Sequence, residues 1–447
     1  MKIPRWRTYI NWLLGDEISR VTRYFDRTLQ WRPHPDDTGL LLSSISTPAK
    51  QVISEREQLS EIIVESVTRT ALLLNGTLNY SYDVAGLLAG LKPYLARTTR
   101  VIIVAYNPYL SIVYRLANFL GIRSGEVPKT FVTRVDLDNL AMLAGFTVVT
   151  SRMVGYVPWR LFGVGTALNR VFSTVPVLKW LGLANVLVLK PNATDSDRAS
   201  RPTLSVVIPA RNEEGNIENA LLGIPEMGCA REIIFVEGHS SDGTWEEILR
   251  VSEKYGSDYT IKVLKQKGTG KSDAVRLGFS MAENDLLTIL DADLTMPPDR
   301  LASFYNAYVE GHADFINGSR LVYPMEENAM RYLNRLGNIF FAKALSWILG
   351  VRIGDSLCGT KMFPRHDYKR MSLWRRDFGD FDPFGDFELL FPAATMALGI
   401  VDVPIQYKNR TYGTTNIRRF QDGLKLLRMT IIGFIKIKLG YGCGRSQ

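Results

Sequence analysis

The sequence contains few cysteines and no long apolar run. Its three cysteines, Cys229, Cys358 and Cys443, are far apart and show no metal-binding spacing. This odd, scattered set excludes a disulfide-stapled fold and indicates a reducing compartment. No stretch reaches the roughly 18 uninterrupted apolar residues of a spanning helix. The start, from Met1 to Gly15, is basic and aromatic, without the apolar core and cleavage site of a secretory signal, so we expect no secretory leader.

The sequence also shows no internal repeat and no low-complexity tract. Its 447 residues are 46% hydrophobic and 22% charged, which is ordinary for a folded protein, and the length favours two domains. The net charge of +9 favours anionic partners, namely nucleic acid, phosphorylated ligands or an acidic membrane face. Composition does not choose among these three.

A polar segment from Lys190 to Thr203, with two prolines and almost no apolar residue, separates two halves that each read as α/β. We assign residues 1–189 to a first domain, 190–203 to a linker, 204–422 to a second domain and 423–447 to an amphipathic helix and tail. The second half alternates strands and helices, with polar residues where each strand ends. This pattern predicts a nucleotide-binding α/β domain.

One strand of the second half ends on two carboxylates. Residues 286–293 read Leu-Leu-Thr-Ile-Leu-Asp-Ala-Asp, so Asp291 and Asp293 follow an apolar run typical of a buried parallel strand. Ligands of open α/β sheets bind beyond the carboxyl ends of strands, and two carboxylates there can hold a hard divalent cation and, through it, a diphosphate. Three other Asp-x-Asp triplets follow no comparable run: Asp136/Asp138, Asp195/Asp197 and Asp380/Asp382.

Seven elements of the second half, in family order, resemble glycosyltransferase family 2, and most closely its polyprenyl-phosphate sugar transferases of the dolichol-phosphate mannosyltransferase group. They are VVIPARNEE (206–214), VEGHSSDGT (236–244), GKSDAVRLGF (270–279), LDADLTMPPDRL (290–301), NGSR (317–320), DSLCGTK (355–361) and RTYGTTN (410–416). The resemblance covers about Leu204 to Leu439 and implies a GT-A domain, Rossmann-like with a mostly parallel sheet. In the last element Thr415-Asn416 stands where the family has Ser-Lys, which leaves the acceptor assignment open.

The resemblance also implies roles for individual residues. Pro209, Arg211 and Glu213 would border the base and ribose, Glu237 would hold the nucleoside, and Asp242 and Lys271 belong to the donor site. Asp291, Asp293 and Thr295 would place Mg²⁺ or Mn²⁺ on the diphosphate. Arg320 and Arg410 could bind phosphate oxygens bidentately.

An acid near the start of a later helix is the candidate for proton transfer. Asp386 and Glu388 lie where inverting members of the family keep a carboxylate, and an alcohol acceptor would need one of them as a general base. A phosphate acceptor has a second pKa near 6, so it is mostly deprotonated and needs no strong base. Asp386 or Glu388 would then only orient the acceptor or cap the helix.

The first half resembles the second part of a class I methyltransferase over roughly Ala71 to Leu189. Strands at 71–74, 101–105 and 147–149 alternate with helices at 84–95, 110–120 and 135–144, and Ala144-Gly145-Phe146 forms the turn after the last large helix. Residues 1–70 contain no G-x-G for a methyl donor, and only Gly15 and Gly39 as glycines. Two alternatives remain, a truncated scaffold and an active methyltransferase.

Two segments carry apolar stripes at helical spacing beside basic residues. They are 423–439, with Leu424, Leu427, Ile431 and Phe434/Ile435, and 330–349, with Leu333, Leu336, Phe340, Ala344 and Trp347. Such stripes usually pack in a core, but the basic faces favour membrane-interface anchors on an anionic cytoplasmic leaflet.

The sequence thus predicts a metal-dependent, inverting glycosyltransferase of cell-envelope glycan synthesis, peripheral at the cytoplasmic face of the membrane. It would move a sugar from a nucleotide sugar to a polyprenyl phosphate, with no nucleic-acid partner. The alternatives are transfer to a glycan or other hydroxyl acceptor, and a nucleotide-binding but inactive scaffold.

Overall fold

The computed structural model describes residues 4–35, 37–63, 68–121, 126–324, 332–379, 382, 385–410, 412 and 419–441. The chain forms two compact units. Unit 1 comprises residues 1–192, 395–397 and 438–440, and unit 2 comprises residues 193–394, 398–437 and 441–447. The segment predicted as a linker begins inside the last strand of unit 1 and includes a short helix, Asp195–Ala199.

The described part of unit 1 contains a six-stranded sheet flanked by helices. Its strands are β1 (Arg27–Trp31), β2 (Ala49–Ile53), β3 (Thr70–Asn75), β4 (Arg100–Tyr106), β5 (Phe146–Val154) and β6 (Ala184–Pro191). Its helices are α1 (Arg5–Thr22), α2 (Leu40–Ser44), α3 (Glu57–Ile62), α4 (Val84–Leu91), α5 (Ser111–Phe119), α6 (Arg134–Leu143) and α7 (Val164–Phe172).

The sheet of unit 1 has the order β2-β1-β3-β4-β6-β5. The first four strands are parallel, and β6 runs antiparallel between β4 and β5. The apolar runs of β3 and β4 are buried along nearly their whole length, as expected for a parallel sheet covered on both faces.

The predicted strands and helices between residues 71 and 149 agree with β3 to β5 and α4 to α6. The elements between residues 5 and 62, including β1 and β2, are absent from the prediction. Their strands are short, and β2 is largely exposed, so no long apolar run marks them.

The described part of unit 2 contains a seven-stranded sheet. Its strands are β7 (Leu204–Ala210), β8 (Arg231–Glu237), β9 (Thr260–Lys265), β10 (Leu286–Ile289), β11 (Phe315–Ser319), β12 (Lys361–Pro364) and β13 (Ile400–Pro404). Its helices are α8 (Asp195–Ala199), α9 (Ile217–Leu222), α10 (Thr244–Tyr255), α11 (Lys271–Met281), α12 (Leu301–Val309), α13 (Tyr332–Leu349), α14 (Arg365–Phe378), α15 (Phe387–Thr395) and α16 (Arg419–Gly433), the last followed by a π-helical turn, Phe434–Lys438.

The sheet of unit 2 has the order β13-β11-β12-β10-β7-β8-β9, and only β12 runs antiparallel to its neighbours. This confirms the predicted mostly parallel α/β domain. Because β7, β8, β9 and β10 are parallel neighbours, their carboxyl ends share one edge of the sheet. That edge is where polar side chains of four separate motifs can meet.

Close packing of α11 on β7 depends on Gly278. A Cβ added at Gly278 would collide with the methyl groups of Val207, whereas a Cβ on Gly337 of α13 would meet open space. We expect Gly278→Ala to lower the free energy of unfolding by about 1–3 kcal/mol through overpacking. Gly337→Ala, the same change in another helix of the unit, should raise it by about 0.5–1 kcal/mol. Urea denaturation of both variants checks this, and equal effects would contradict the packing argument.

Candidate active site

The ends of β7, β8 and β9 are level with one another. Ala210 pairs with Glu237, and Glu237 pairs with Lys265, the last residues of the three strands. Strand β10 pairs with β7 from Leu286 to Ile289, so Asp291 follows the strand end by two residues. The neighbouring residues Leu290 and Ala292 are buried, which directs the two aspartates away from the core.

Asp291 forms an ion pair with Lys271, the first residue of α11. Burial would lower the pKa of Lys271, but the carboxylates of Asp291, Asp386 and Asp293 together raise it above its ordinary value. Burial would likewise raise the pKa of Asp291, but Lys271, followed by Lys361 and Arg320, holds it below its ordinary value. The predicted donor-site lysine and the first predicted metal carboxylate are thus direct partners.

Asp293 has a different cationic partner. Arg410 donates from Nη2 to Asp293 Oδ2 at 2.5 Å, and its Nη1 lies 3.4 Å from Glu213 Oε1. Thr295 donates to Asp293 Oδ1 from its amide at 3.1 Å and from its hydroxyl at 2.8 Å. Leu294, between them, has φ +54°, and this left-handed turn brings Thr295 back onto the carboxylate. Thr295 therefore orients Asp293.

The predicted nucleoside-binding acids lie in the loops after β7 and β8. Burial raises the pKa of Glu213, against the lowering effect of a hydrogen bond from Asn216 to its Oε2 (2.7 Å) and of Arg410. Glu237 Oε1 accepts the amide of Ser240 at 2.5 Å. Pro209 is the penultimate residue of β7, and Arg211 is exposed just beyond that strand.

Asp242 immediately precedes Gly243, the N-cap residue of α10. Asp242 Oδ1 accepts the Thr244 amide at 3.1 Å and the Thr244 hydroxyl at 2.5 Å. Burial would raise the pKa of Asp242, but the hydrogen bonds from Thr244 bring it below its ordinary value. The carboxylate therefore holds the loop at the start of the helix.

Asn212, which was given no role from the sequence, joins the loops after β7 and β8. It has φ +57°, its Oδ1 accepts the Ser241 amide at 2.8 Å, and its own amide donates to Ser240 Oγ at 3.1 Å. Its position in an Asn-Glu-Glu run directly after a strand could have indicated a left-handed turn, because asparagine tolerates positive φ values.

Lys361 was also given no role of its own from the sequence. It is fully buried at the start of β12 and donates to Asp386 Oδ1 at 2.5 Å and to the Cys358 carbonyl. It belongs to the quoted segment 355–361, but a buried partner for Asp386 has no sequence signal. The pair links Asp386 to the cluster, since Asp386 also acts on the pKa of Lys271.

Glu388 does not fit the predicted role of a base. Arg276 donates from Nε to both of its oxygens, at 3.0 and 3.1 Å, and Arg375 Nη1 lies 3.6 Å from Oε2. The suggested helix-capping role of Asp386 or Glu388 is also wrong. Asp382 Oδ2 accepts the amides of Phe387 and Glu388, at 2.7 and 3.0 Å.

Arg320 was expected to bind phosphate bidentately, but its fork is occupied. Its Nε and Nη2 donate to the two carboxylate oxygens of Asp355, at 2.7 and 2.9 Å, and its guanidinium lies 5.2 Å from the Tyr407 ring. Burial would raise the pKa of Asp355, but Arg320 holds it below its ordinary value. Arg320 therefore supports the loop before β12 through Asp355.

The other Asp-x-Asp triplets have local roles where they are described. At the start of α6, Asp136 Oδ2 accepts the Thr133 hydroxyl and the Asp136 amide donates to Thr133 Oγ1. Asp197 completes a capping box on α8, and Asp382 accepts the first amides of α15. Asp380, Thr415 and Asn416 lie outside the described residues. Within the described ranges, no group of three or more histidine, cysteine, aspartate or glutamate side chains is placed to hold a metal.

The buried Arg320–Asp355 pair generates a stability prediction. We expect Arg320→Leu to lower the free energy of unfolding at neutral pH by about 3–5 kcal/mol, because Asp355 would be left buried without a partner. The pKa of Asp355 is depressed in the fold, so the pair contributes above the unfolded value of about 3.9 and loses its contribution as pH falls through the folded value. The deficit should therefore shrink toward acidic pH.

Thermal and urea unfolding from neutral pH to well below about pH 3.9, where the contribution of the pair is lost, measure this deficit. The double variant Arg320→Leu/Asp355→Leu should recover part of it, because no unpaired charge remains. Arg250→Leu is the matched control, since Arg250 makes its ion pairs with Glu218 and Glu247 at the surface. A pH-independent deficit in Arg320→Leu would contradict the assignment.

Known proteins match the second half of the chain. The family model for glycosyl transferase family 2 matches residues 205–371. A dolichyl-phosphate hexose transferase of Haloferax volcanii is 30% identical over 224 residues, covering 49% of this chain and 89% of that protein. A dolichol-phosphate mannosyltransferase of Pyrococcus furiosus is 37% identical over 122 residues, covering 27% of this chain and 33% of that protein.

Two further comparisons are more distant. The low-salt glycan biosynthesis hexosyltransferase Agl6 of Haloferax volcanii is 28% identical over 260 residues, which is 56% of this chain and 58% of that protein. A solved structure of glucosyl-3-phosphoglycerate synthase from Mycobacterium tuberculosis aligns with a TM-score of 0.39 and 19% identity, over 56% of this chain and 85% of that one.

The recognition made from the seven sequence elements is thereby confirmed, as is the assignment of the chain as a glycosyltransferase. The resemblance of the first half to a methyltransferase stays a prediction. The chain belongs to glycosyl transferase family 2.

Proposed function

We propose that this glycosyltransferase uses a divalent metal, inverts the sugar carbon, and moves a sugar from a nucleotide-sugar donor to a polyprenyl phosphate at the cytoplasmic face of a membrane. The observation that carries the proposal is the placement of Asp291 and Asp293 at the edge of four parallel strands, each paired with a separate cation, Lys271 and Arg410. Such an edge attracts a ligand that carries several phosphate oxygens.

The residues at the strand end suit Mg²⁺ or Mn²⁺ in kind. Asp291, Asp293 and the Thr295 hydroxyl are hard oxygen donors, and Mg²⁺ is commonly held by one or two carboxylates together with substrate phosphates. The two carboxylates and one hydroxyl at the strand end suit that mode of binding. A bound cation would supply neutralisation of the nucleoside diphosphate as it leaves the sugar.

Lys271 and Arg410 would contribute positive charge at the same place. Lys271 begins α11, where free helix amides also favour an anion. Arg410 donates to Asp293 and Glu213, so it would bind phosphate oxygens by exchanging these carboxylate contacts. Glu213, Glu237 and Asp242, in the loops after β7 and β8, would border the nucleoside part of the donor.

The acceptor proposal rests on the acceptors for which relatives are named and on the contacts of Asp386. Relatives are named dolichyl-phosphate hexose transferase and undecaprenyl-phosphate 4-deoxy-4-formamido-L-arabinose transferase. Asp386 is paired with the buried Lys361, and Glu388 is held by Arg276 and Arg375. Since a phosphate acceptor brings its own deprotonated oxygen, Asp386 would orient the acceptor.

Membrane contact is proposed through α13 and α16. In α16 the side chains of Leu426, Met429 and Ile437 beyond it are buried, while Leu424, Leu427 and Ile431 are exposed. In α13 the side chains of Leu336, Phe340 and Trp347 are exposed, and the Trp347 ring stacks on Phe434 at 5.4 Å. The apolar stripes thus face outward, with Lys343, Lys425 and Arg428 among them, as in interfacial helices. None of the described helices is apolar enough over a sufficient length to span a bilayer.

For unit 1 we propose a scaffold role without methyl transfer. The loop after β1 runs from Arg32 to Gly39 and contains two prolines and a single glycine. A methyl donor needs close approach of the backbone at such a loop. Titration of the full chain with the methyl donor should show no binding, and a stoichiometric binding heat would support the alternative of an active methyltransferase.

The metal and donor proposal predicts a specific loss. We expect Asp291→Asn and Asp293→Asn each to lower kcat for sugar transfer more than about 100-fold with Mn²⁺ present. Asp195→Asn is the matched control, because it changes an exposed aspartate of another Asp-x-Asp triplet. Transfer from a panel of nucleotide sugars to a short polyprenyl phosphate, with and without chelator, is the measurement. Donor binding without transfer or hydrolysis in wild type would favour the inactive scaffold.

Asp386→Asn separates the two acceptor classes. The amide keeps an oxygen for the Lys361 ammonium but cannot take a proton at neutral pH. With a phosphate acceptor we expect kcat within about threefold of wild type and an unchanged acidic limb of its pH profile, because no general base is lost. Transfer to an alcohol would instead fall by about 100-fold or more. Circular dichroism melts check that the variant is folded at the assay temperature.

A further inference from the structure

One edge of the unit 1 sheet carries two segments side by side. Tyr106 at the end of β4 pairs with Ala184 at the start of β6, and Ala184 pairs with Val154 at the end of β5. The segment after β4 (residues 107–120) and the segment between β5 and β6 (residues 155–183) therefore leave the sheet at the same edge. We call the exposed apolar side chains of these two segments the apolar rim.

The apolar rim contains many exposed aliphatic and aromatic side chains. Helix α5 has no buried residue, and its Ile112, Leu116 and Phe119 are exposed. In the second segment Trp159 and Trp180 are more than half exposed, and the Phe162 ring is fully exposed. Exposed apolar side chains that gather at one edge of a sheet are typical of a binding surface for a protein or a membrane.

The two segments are tied into one ordered surface. The ring of Tyr109 stacks on Trp180 at 5.3 Å with 12° between the ring planes. The Asn107 side-chain amide donates to the carbonyls of Trp180 and Gly182, at 2.7 Å each. The two segments therefore hold their exposed apolar side chains in fixed positions.

The tip that carries Phe162 is strained. Leu161 and Phe162 have φ values of +44° and +54°, in a region that non-glycine residues rarely adopt. The amides of Gly163 and Gly165 hold the turn by donating to the Arg160 carbonyl, at 2.8 and 3.1 Å. Such strain costs about 1–3 kcal/mol per residue and is typical of functional sites. Here it projects a bare phenyl ring into solvent.

The two segments of the apolar rim themselves carry charge of a single sign, and the nearby acids Asp16 and Glu17 of α1 are paired with Arg20 and Arg152. Residues 84–125 and 139–194 contain no aspartate or glutamate, while Arg115 and Arg160 are exposed within the rim segments. Tryptophan and tyrosine rings beside arginine are the composition of membrane-interface surfaces, and the missing acids remove repulsion from anionic headgroups. A protein partner would not require this one-sided charge.

We propose that the apolar rim of unit 1 is a second bilayer-binding surface, specific for anionic lipid and separate from the helices α13 and α16 of unit 2. Phe119, Phe162 and the indole rings would enter the headgroup boundary, and Arg115 and Arg160 would contact lipid phosphates. The surface would hold unit 1 on the membrane independently of sugar transfer.

Co-sedimentation of the full chain with vesicles tests this surface. The vesicles are phosphatidylcholine alone or mixed with phosphatidylglycerol. We expect Phe119→Glu/Phe162→Glu to weaken binding to the mixed vesicles at least about tenfold, because two rings that would enter the bilayer are replaced by two negative charges. Leu249→Glu, at an exposed apolar position of α10, is the matched control and should bind like wild type. Thermal melts should be unchanged, since both rings are exposed.

A parallel variant, Leu427→Glu/Ile431→Glu, reports on the α16 surface. If only this variant loses binding, the apolar rim proposal is overturned and the membrane contact of unit 2 stands. If only the rim variant loses binding, the reverse holds. Light scattering completes the test: a wild-type dimer that the rim variant converts to a monomer, with vesicle binding unchanged, would assign the rim to a second copy of the chain and overturn the proposal.

Discussion

The ion pair between Lys271 and Asp291 is the interaction on which the rest of the site depends. It joins the first turn of α11 to the end of β10, and the loop before β12 packs directly against it. A Cβ added at Gly359 would meet both the ammonium and the carboxylate. The charges of the site depend on one another. Asp386 and Asp293 also raise the pKa of Lys271, and Lys361 and Arg320 also lower the pKa of Asp291.

Two further ion pairs, both buried, lie beside this cluster. Arg320 with Asp355 and Lys361 with Asp386 are each fully or largely buried. Burying charges costs free energy that apolar side chains would not cost, so such pairs are weak contributors to net stability. Their physical effect here is to orient loops, because a bidentate arginine–carboxylate contact permits one geometry.

The two units each carry outward-facing apolar surface on a regular framework. In unit 2 the surface is a stripe on α13 and α16, and in unit 1 it is the apolar rim at the ends of β4 and β5. Both include basic side chains, in agreement with the net charge of +9. An anionic bilayer is the partner that we propose for each surface, because each combines exposed apolar side chains with basic ones.

The sequence by itself determined the family, the α/β character of both halves and the strand ends where chemistry occurs. These features are local, because an apolar run followed by a polar motif can be recognised in consecutive residues. Only the tertiary structure decided which charged side chains are partners, because the partners come from different elements. Arg320 binds Asp355, and Lys361 binds Asp386. Glu388 is held by two arginines. The apolar stripe of α16 shows the same division. Helical spacing reveals which residues share a face, but whether that face meets a core or solvent depends on what packs against the helix.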